Sequence, residues 1–149
     1  MSRIAIGSDH AGFDLKSHFI ELLSGQRHEL IDMGTDGTES VDYPSFCAAV
    51  GRAVRDGAAD MGIVVGGSGQ GEQLAANKVR GVRAAMCLNQ TLARYSREHN
   101  GANVITLGST LIEGPAVAIG IVDTWLGTPM REARYIRRLQ KIRRMEQLF

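Results

Sequence analysis

Aromatic residues are scarce in this chain, with one Trp, three Tyr and four Phe among 149 residues. A flavin- or nucleotide-binding module of the ring-stacking kind therefore lacks its usual platforms. Cysteine is scarcer still: Cys47 and Cys87 stand apart without metal-ligand spacing, which excludes a disulfide framework or a zinc module. They read as buried thiols of a cytoplasmic protein. No apolar run approaches the roughly 20 residues that span a bilayer. Met1-Ser2-Arg3 enters a strand pattern directly, without the outline of a signal peptide, so the expectation is a cytoplasmic protein with no membrane partner. An excess of one charge is missing too, since the formal net charge is +1. Residues 131–149 are basic, with seven Lys or Arg against two Glu, and the rest of the chain is net acidic. A near-neutral total argues against a nucleic-acid partner and for a small anionic ligand.

Glycine is what the chain has in quantity, and its densest cluster is Gly66-Gly67-Ser68-Gly69-Gln70-Gly71, after the apolar run Met61-Gly62-Ile63-Val64-Val65. Such a turn gathers several backbone N–H groups at one point, a cradle for a phosphate, a carboxylate or a transient oxyanion. Glu72 follows at once, and a proton acceptor beside an oxyanion cradle suits proton transfer at a carbon next to a carbonyl. The nucleotide-binding motifs fail here. A P-loop requires Lys-Ser or Lys-Thr where Glu72-Gln73 stand, and the dinucleotide fingerprint requires a glycine where Glu72 stands. The stretch from Gly7 to Gly12 has P-loop spacing but continues as Phe13-Asp14. A glycine-rich turn with no ligand remains the alternative for the loop taken alone.

Periodicity predicts strands at 3–7, 28–32, 61–65, 82–86 and 103–107, alternating with helices at 13–23, 44–54, 71–80, 90–98 and 115–126. A last helix is expected at 130–147. This alternation implies βαβ units: a single domain over residues 1–149, folded as a three-layer, Rossmann-like or flavodoxin-like α/β sandwich with five parallel strands. Ligands of such sheets bind beyond the carboxyl ends of the strands. Ser8-Asp9-His10, the glycine loop and Gly108-Ser109-Thr110 all fall there. His99-Asn100 follows the fourth of these helices, at the opposite end, and joins such a site only by serving a neighbouring chain.

Asp9-His10 offers an acceptor and a switchable donor for sugar hydroxyls or a phosphate, or simply a helix cap. Asp42-Tyr43-Pro44 carries a hydroxyl at a helix start, where capping is the plainer reading. Arg134 and Arg138 lie one helical turn apart, with Lys141 adjoining, so two guanidiniums face one side and suit a phosphate. A solvated basic face is the alternative. Tyr135, Ile136, Leu139, Ile142 and Met145 form an apolar stripe beside them.

Together these residues resemble the type-B ribose-5-phosphate isomerases, grouped with the galactose-6-phosphate isomerase subunits. The resemblance spans nearly the whole chain. It is carried by Ile6-Gly7-Ser8-Asp9-His10-Ala11-Gly12, Asp42-Tyr43-Pro44, Gly66 to Gln73, Ala75-Ala76-Asn77-Lys78, Arg97-Glu98-His99-Asn100 and Arg134 to Arg138. It implies aldose–ketose isomerisation of ribose 5-phosphate and ribulose 5-phosphate through a cis-enediolate, within pentose phosphate metabolism. Many members use a cysteine base at the position of Gly66, so this chain resembles the branch whose base is a glutamate at Glu72. The resemblance further implies that Ser68 passes protons at the sugar oxygens, while Gly67, Gly69, Gln70 and Gly71 line the oxyanion cradle. His99 of the partner opens the ring and Asn100 supports the enediolate. Asp9 and Tyr43 handle sugar oxygens, and His10, Arg134 and Arg138 hold the phosphate. A homodimer with shared sites is implied, a dimer of dimers staying open, and no metal or other cofactor is expected. Two departures, Thr110 for the usual arginine and Tyr135 for a frequent histidine, keep erythrulose 4-phosphate and allose 6-phosphate types as alternative substrates.

Overall fold

The computed structural model describes residues 1–148. In chain order the elements are β1 (Arg3–Ser8), α1 (Phe13–Gly25), β2 (Glu29–Asp32), α2 (Pro44–Arg55), β3 (Met61–Gly66), α3 (Gln70–Ala76), β4 (Ala84–Met86), α4 (Gln90–Glu98), β5 (Val104–Gly108), α5 (Pro115–Gly127) and α6 (Ala133–Leu148). All strand pairs are parallel, in the order β2-β1-β3-β5-β4. The inner strands β1, β3 and β5 are apolar on both faces, as a doubly covered parallel sheet demands. On one face Ile4, Ile6, Ile63 and Ile105 pack with Phe19, Ala93, Ile121 and Trp125 of α1, α4 and α5. On the other, Ala5, Val64 and Val104 pack with Cys47, Val50 and Ala76 of α2 and α3. The expected three-layer Rossmann-like sandwich of five parallel strands is thus the fold.

Right-handed crossovers explain the layering. The steps from β1 to β2 and from β4 to β5 run one way across the sheet, so α1 and α4 share a face. Those from β2 to β3 and from β3 to β4 run the other way, and α2 and α3 cover the opposite face.

Three details differ from the expectation. The flavodoxin order would put β4 beside β3, whereas here β5 lies between them. Helix α3 stops at Ala76, not at residue 80, because Asn77 draws the chain into β4: its Nδ2 donates to the Ala84 carbonyl at 3.0 Å and its Oδ1 accepts the Ala84 amide at 2.8 Å. Helix α6 begins at Ala133, and of its apolar stripe only Tyr135 is buried; Ile136, Ile142 and Met145 are exposed.

The placement of β5 governs the site. Gly66 and Gly108 are register partners at the carboxyl ends of β3 and β5, so the glycine loop lies directly over the end of β5. A Cβ at residue 108 would overlap the Ser68 backbone. Gly108→Ala is therefore expected to destabilise the protein by about 1–3 kcal/mol, as overpacking does. The measurement is the urea unfolding midpoint; an unchanged midpoint would mean that the loop gives way freely.

Candidate active site

The end of β1 is anchored from below. Ser8 donates its amide to the Gly34 carbonyl at 2.7 Å and accepts the Thr35 amide at 2.8 Å. That segment is in turn held by Lys16, 1% exposed, whose ammonium donates to Asp32 Oδ1 at 2.7 Å and to the Thr35 carbonyl. Asp9 follows, buried, with Oδ1 accepting the Gly12 amide at 3.0 Å. His10 Nδ1 accepts the Val41 amide at 3.2 Å, so in the neutral ring the proton sits on Nε2 and Nε2–H is a donor. Tyr43 precedes Pro44 of α2 without capping it by side chain; its hydroxyl lies where a Cβ on Gly71 would be.

The glycine loop is tied down by its carbonyls. Ser109 N–H donates to Gly66 O at 2.8 Å, Thr110 N–H and Oγ1–H donate to Gly67 O at 3.0 and 2.6 Å, and Thr106 Oγ1–H donates to Gly69 O at 2.8 Å. In a trans peptide the N–H points opposite to the preceding carbonyl. The Gly67 and Ser68 amides are therefore turned away from β5. Ser68 Oγ accepts the Gln70 amide at 3.2 Å, which leaves its own hydroxyl proton for another acceptor.

Glu72 is the third residue of α3 and only 4% exposed. Its carboxylate rests on the α-carbon of Gly66, in the space that any side chain at 66 would occupy. Burial pushes this carboxyl above the usual carboxylate range, and the Asp9 charge adds to the rise; its own backbone amide and that of Gly69 oppose it. Beneath lies the Cys47 thiol, pushed up to about 12 first by burial and then by the Glu72 and Asp9 charges, so it is protonated at neutral pH.

A second cluster lies at the amino end of the sheet, to which α4 returns. His99, at the end of α4, is stacked on Tyr95 at 4.6 Å and 16°, and tilted against Tyr135 at 4.7 Å and 35°. Arg134 Nη2 donates to the Tyr135 hydroxyl at 2.8 Å, and its Nε pairs with Glu132 at 2.8 Å. The guanidinium carbons of Arg134 and Arg138 lie 4.7 and 5.9 Å from the Tyr135 ring centre. Asn100 faces an open groove of about 890 Å³ between α6 and the β4 edge, lined also by Leu139, Ile142 and Met145.

Asp9, His10, Tyr43, Gly67, Ser68, Gly69, Gln70, Gly71 and Glu72 thus gather at one end of the sheet. His99, Asn100, Arg134 and Arg138 gather at the other. The sequence reading missed the hub role of Tyr135 and the hydroxyls of Thr106 and Thr110 that hold the loop. A lone Thr between Ile105 and Leu107, in an otherwise apolar strand, was the available signal for one of them. Among the described residues no His, Cys, Asp and Glu groups gather to hold a metal ion, and no helix is long and apolar enough to cross a membrane.

A buried carboxylate beside a glycine loop at the switch point of a parallel sheet is the arrangement in which such folds bind small molecules, and it makes this end of the sheet the candidate site. Comparison with known proteins narrows the class. Residues 4–142 match the family model described as Ribose/Galactose Isomerase. The chain is 41% identical over 147 residues to ribose-5-phosphate isomerase B of Escherichia coli (strain K12), covering 99% of this chain and 98% of that one. It superposes with a TM-score of 0.95 on ribose-5-phosphate isomerase B of Clostridium thermocellum, at 48% identity and covering 97% of each chain. With the Mycoplasma genitalium ribose-5-phosphate isomerase B bearing bound ribulose-5-phosphate, the TM-score is 0.93 at 36% identity, covering 97% of this chain and 96% of that one. The chain belongs to the ribose/galactose isomerase family.

The state of Glu72 has a consequence for stability. Its folded-state pKa is raised, so between the unfolded and folded values the native state binds more protons, and stability falls as pH rises. Glu72→Gln removes that penalty. The variant is expected to melt above the parent at pH 7, with the gain vanishing below the carboxylate range. A melting temperature at pH 7 below that of the parent would contradict a carboxylate held against its own burial.

Proposed function

We propose that this chain is an aldose–ketose isomerase that interconverts ribose 5-phosphate and ribulose 5-phosphate, with Glu72 as the carbon-acid base. The single observation that carries the base assignment is the seat of Glu72. Its carboxylate fills the space above Gly66, buried, beside the loop, with its proton affinity raised by that burial, the direction a general base needs. In the forward direction Glu72 takes the proton from C2 of the open-chain aldose. The electrons of that C–H bond form the C1–C2 double bond, and the carbonyl oxygen becomes the enediolate O⁻. The Gly67 and Ser68 amides meet that charge. The proton returns to C1 from Glu72, while Ser68 relays the O2 proton to O1. One C–H and one O–H bond break, and one of each forms.

Sugar positioning follows from the same geometry. Asp9 and the Tyr43 hydroxyl serve the sugar oxygens, and His10 Nε2–H points a donor at the phosphate or the distal hydroxyls. Gly69, Gln70 and Gly71 complete the loop wall. The Gly69 amide is turned to Glu72, so it supports the base rather than the oxyanion. Thr110 spends its hydroxyl on Gly67 O, which leaves Arg134 and Arg138 as the phosphate cations. Ribose 5-phosphate is favoured over four- and six-carbon substrates, and rates across a panel of four-, five- and six-carbon sugar phosphates test that ranking.

The arginines, His99 and Asn100 reach such a substrate only from another copy of the chain, so we place the site across a two-fold homodimer interface. Exposed Leu74, Leu92, Tyr95, Ile136, Ile142 and Met145, together with the open groove beside α6, offer the apolar surface that such an interface buries. Each chain acts as one isomerase domain, and the two buried, unpaired thiols fit a cytoplasmic setting.

Two measurements test this reading. Glu72→Gln keeps shape while removing the acceptor, so kcat is expected to fall by roughly 10²–10⁴ with KM little changed; near-normal turnover would refute the base. Mixing Glu72→Gln with His99→Ala protein under exchange conditions is expected to restore activity, because each heterodimer holds one intact composite site. No recovery despite demonstrated exchange would mean that each chain builds its site alone.

A further inference from the structure

Thr106 is fully buried in the middle of the apolar stretch of β5, and its hydroxyl donates at 2.8 Å to the carbonyl of Gly69, 37 residues earlier in the chain. A hydroxyl in a doubly covered strand is disfavoured unless it is bonded, and this one has spent its bond on the active-site loop. The residue it grips is the turning point of that loop. Gly69 has φ of +86°, which favours glycine, and it is the residue from which α3 starts. A Cβ there would press on the Leu107 and Gly108 backbone and on Met86, so the peptide is wedged against β5 as well as bonded to it.

Glu72 stands three residues beyond Gly69, at the third helical position. A glutamate so placed reaches back to the N–H of the residue at the helix start, as in one half of a capping box. Here the Gly69 amide is turned to the Glu72 carboxylate and holds its charged form. The carbonyl of Gly69 is thus held by Thr106, and its amide, in the peptide before it, holds Glu72.

We infer that Thr106 is a positioning residue for Glu72, acting through Gly69: by pinning the Gly69 carbonyl it limits the torsions of Gly69 and so the direction of the preceding amide, which orients the carboxylate over Gly66. The inference rests on Glu72 being the base. Loss of the Thr106 hydroxyl leaves Gly69 O with the Gln73 amide alone, at 3.0 Å, so the carbonyl is not orphaned, but Gly69 loses its tie to β5 and the amide before it gains freedom. The fold therefore survives, and the restraint on the carboxylate does not. The ionisable groups acting on or coupled to Glu72 are Asp9 from the end of β1 and Cys47 from α2, while the Tyr43 hydroxyl, before α2, lies against the neighbouring Gly71. None is a cation, so the Gly69 and Glu72 amides are the counterweight to burial, and weakening one raises the proton affinity of the base.

The test compares Thr106→Val, which keeps the branched shape without the hydroxyl, with Thr106→Ser, which keeps the hydroxyl. For Thr106→Val, kcat for ribose 5-phosphate is expected to fall by roughly five- to twentyfold, with KM within twofold and the acid limb of kcat/KM moved to higher pH. Thr106→Ser is expected to restore both the rate and the limb. A parallel measurement follows the Glu72 carboxyl carbon by NMR titration in the free protein, where its midpoint rises in Thr106→Val. An unmoved titration and acid limb, whatever the melting temperature, overturns the inference and makes Thr106 a packing residue. A rise in KM alone overturns it too. If the unsubstituted chain fails to turn over ribose 5-phosphate, the functional reading falls, yet the titration still decides whether Thr106 holds Glu72.

Discussion

The carboxylate of Glu72 and a side chain at residue 66 compete for the same volume, and that exclusion organises this molecule. With glycine at 66 the last residue of β3 leaves an open floor, and the first turn of α3 folds back to lay a carboxylate on it. That position is buried from water but lies beside the unpaired amides of the loop. A longer β3–α3 connection would carry Glu72 off the floor, and any Cβ at 66 would push it out. The chemistry assigned to the chain therefore depends on a missing side chain as much as on the acid itself.

Holding an acid there opposes its solvation, and the fold offsets this with peptides rather than with a cation. The amides of Glu72 and Gly69 favour the charged form, while burial and Asp9 disfavour it. These opposing influences leave its proton affinity above the ordinary carboxylate value, where a salt bridge would have lowered it. Peptides can do this only if they cannot turn, and the carbonyls on either side of the Ser68–Gly69 peptide, those of Gly67 and Gly69, are both held from the β5 side. Because β5 sits next to β3, that strand and the turn after it meet the loop carbonyl by carbonyl: Thr106 on Gly69, then Ser109 on Gly66 and Thr110 on Gly67. With the flavodoxin order, β4 would lie there instead, and that strand ends two register positions short of β5, at Met86 opposite Thr106. The swapped strand order is thus tied to the loop's rigidity.

What was legible in the sequence was local. The glycine cluster, Glu72 close behind it and Asp9-His10 at a strand end are neighbours along the chain, and their chemistry can be read from spacing. Strand and helix alternation gave the layers for the same reason. The order of β4 and β5 was not legible, because both are short apolar runs and only packing distinguishes edge from interior. The overrun of α3 arose because Asn77 bonds to Ala84, a partner that helical periodicity does not reveal. Tyr135 drew notice only as a departure from a family pattern. Its contacts with His99, Arg134 and Arg138 join α4 to α6, and no local rule connects those segments.

The amino-end cluster carries the same logic outward. Tyr135 gathers an imidazole and two guanidiniums around one buried ring, so they are presented as a set rather than as three mobile side chains. The helix that bears the arginines exposes Ile136, Ile142 and Met145, which a lone chain would gain by covering. In the proposed homodimer the same burial that stabilises α6 would deliver the preassembled set to a neighbour's glycine loop. Association would then be a condition of the site and not an addition to it. A chain that separated would lose apolar burial and substrate cations in one step, so an unassembled subunit would hold its base but have little to bring a sugar phosphate to it.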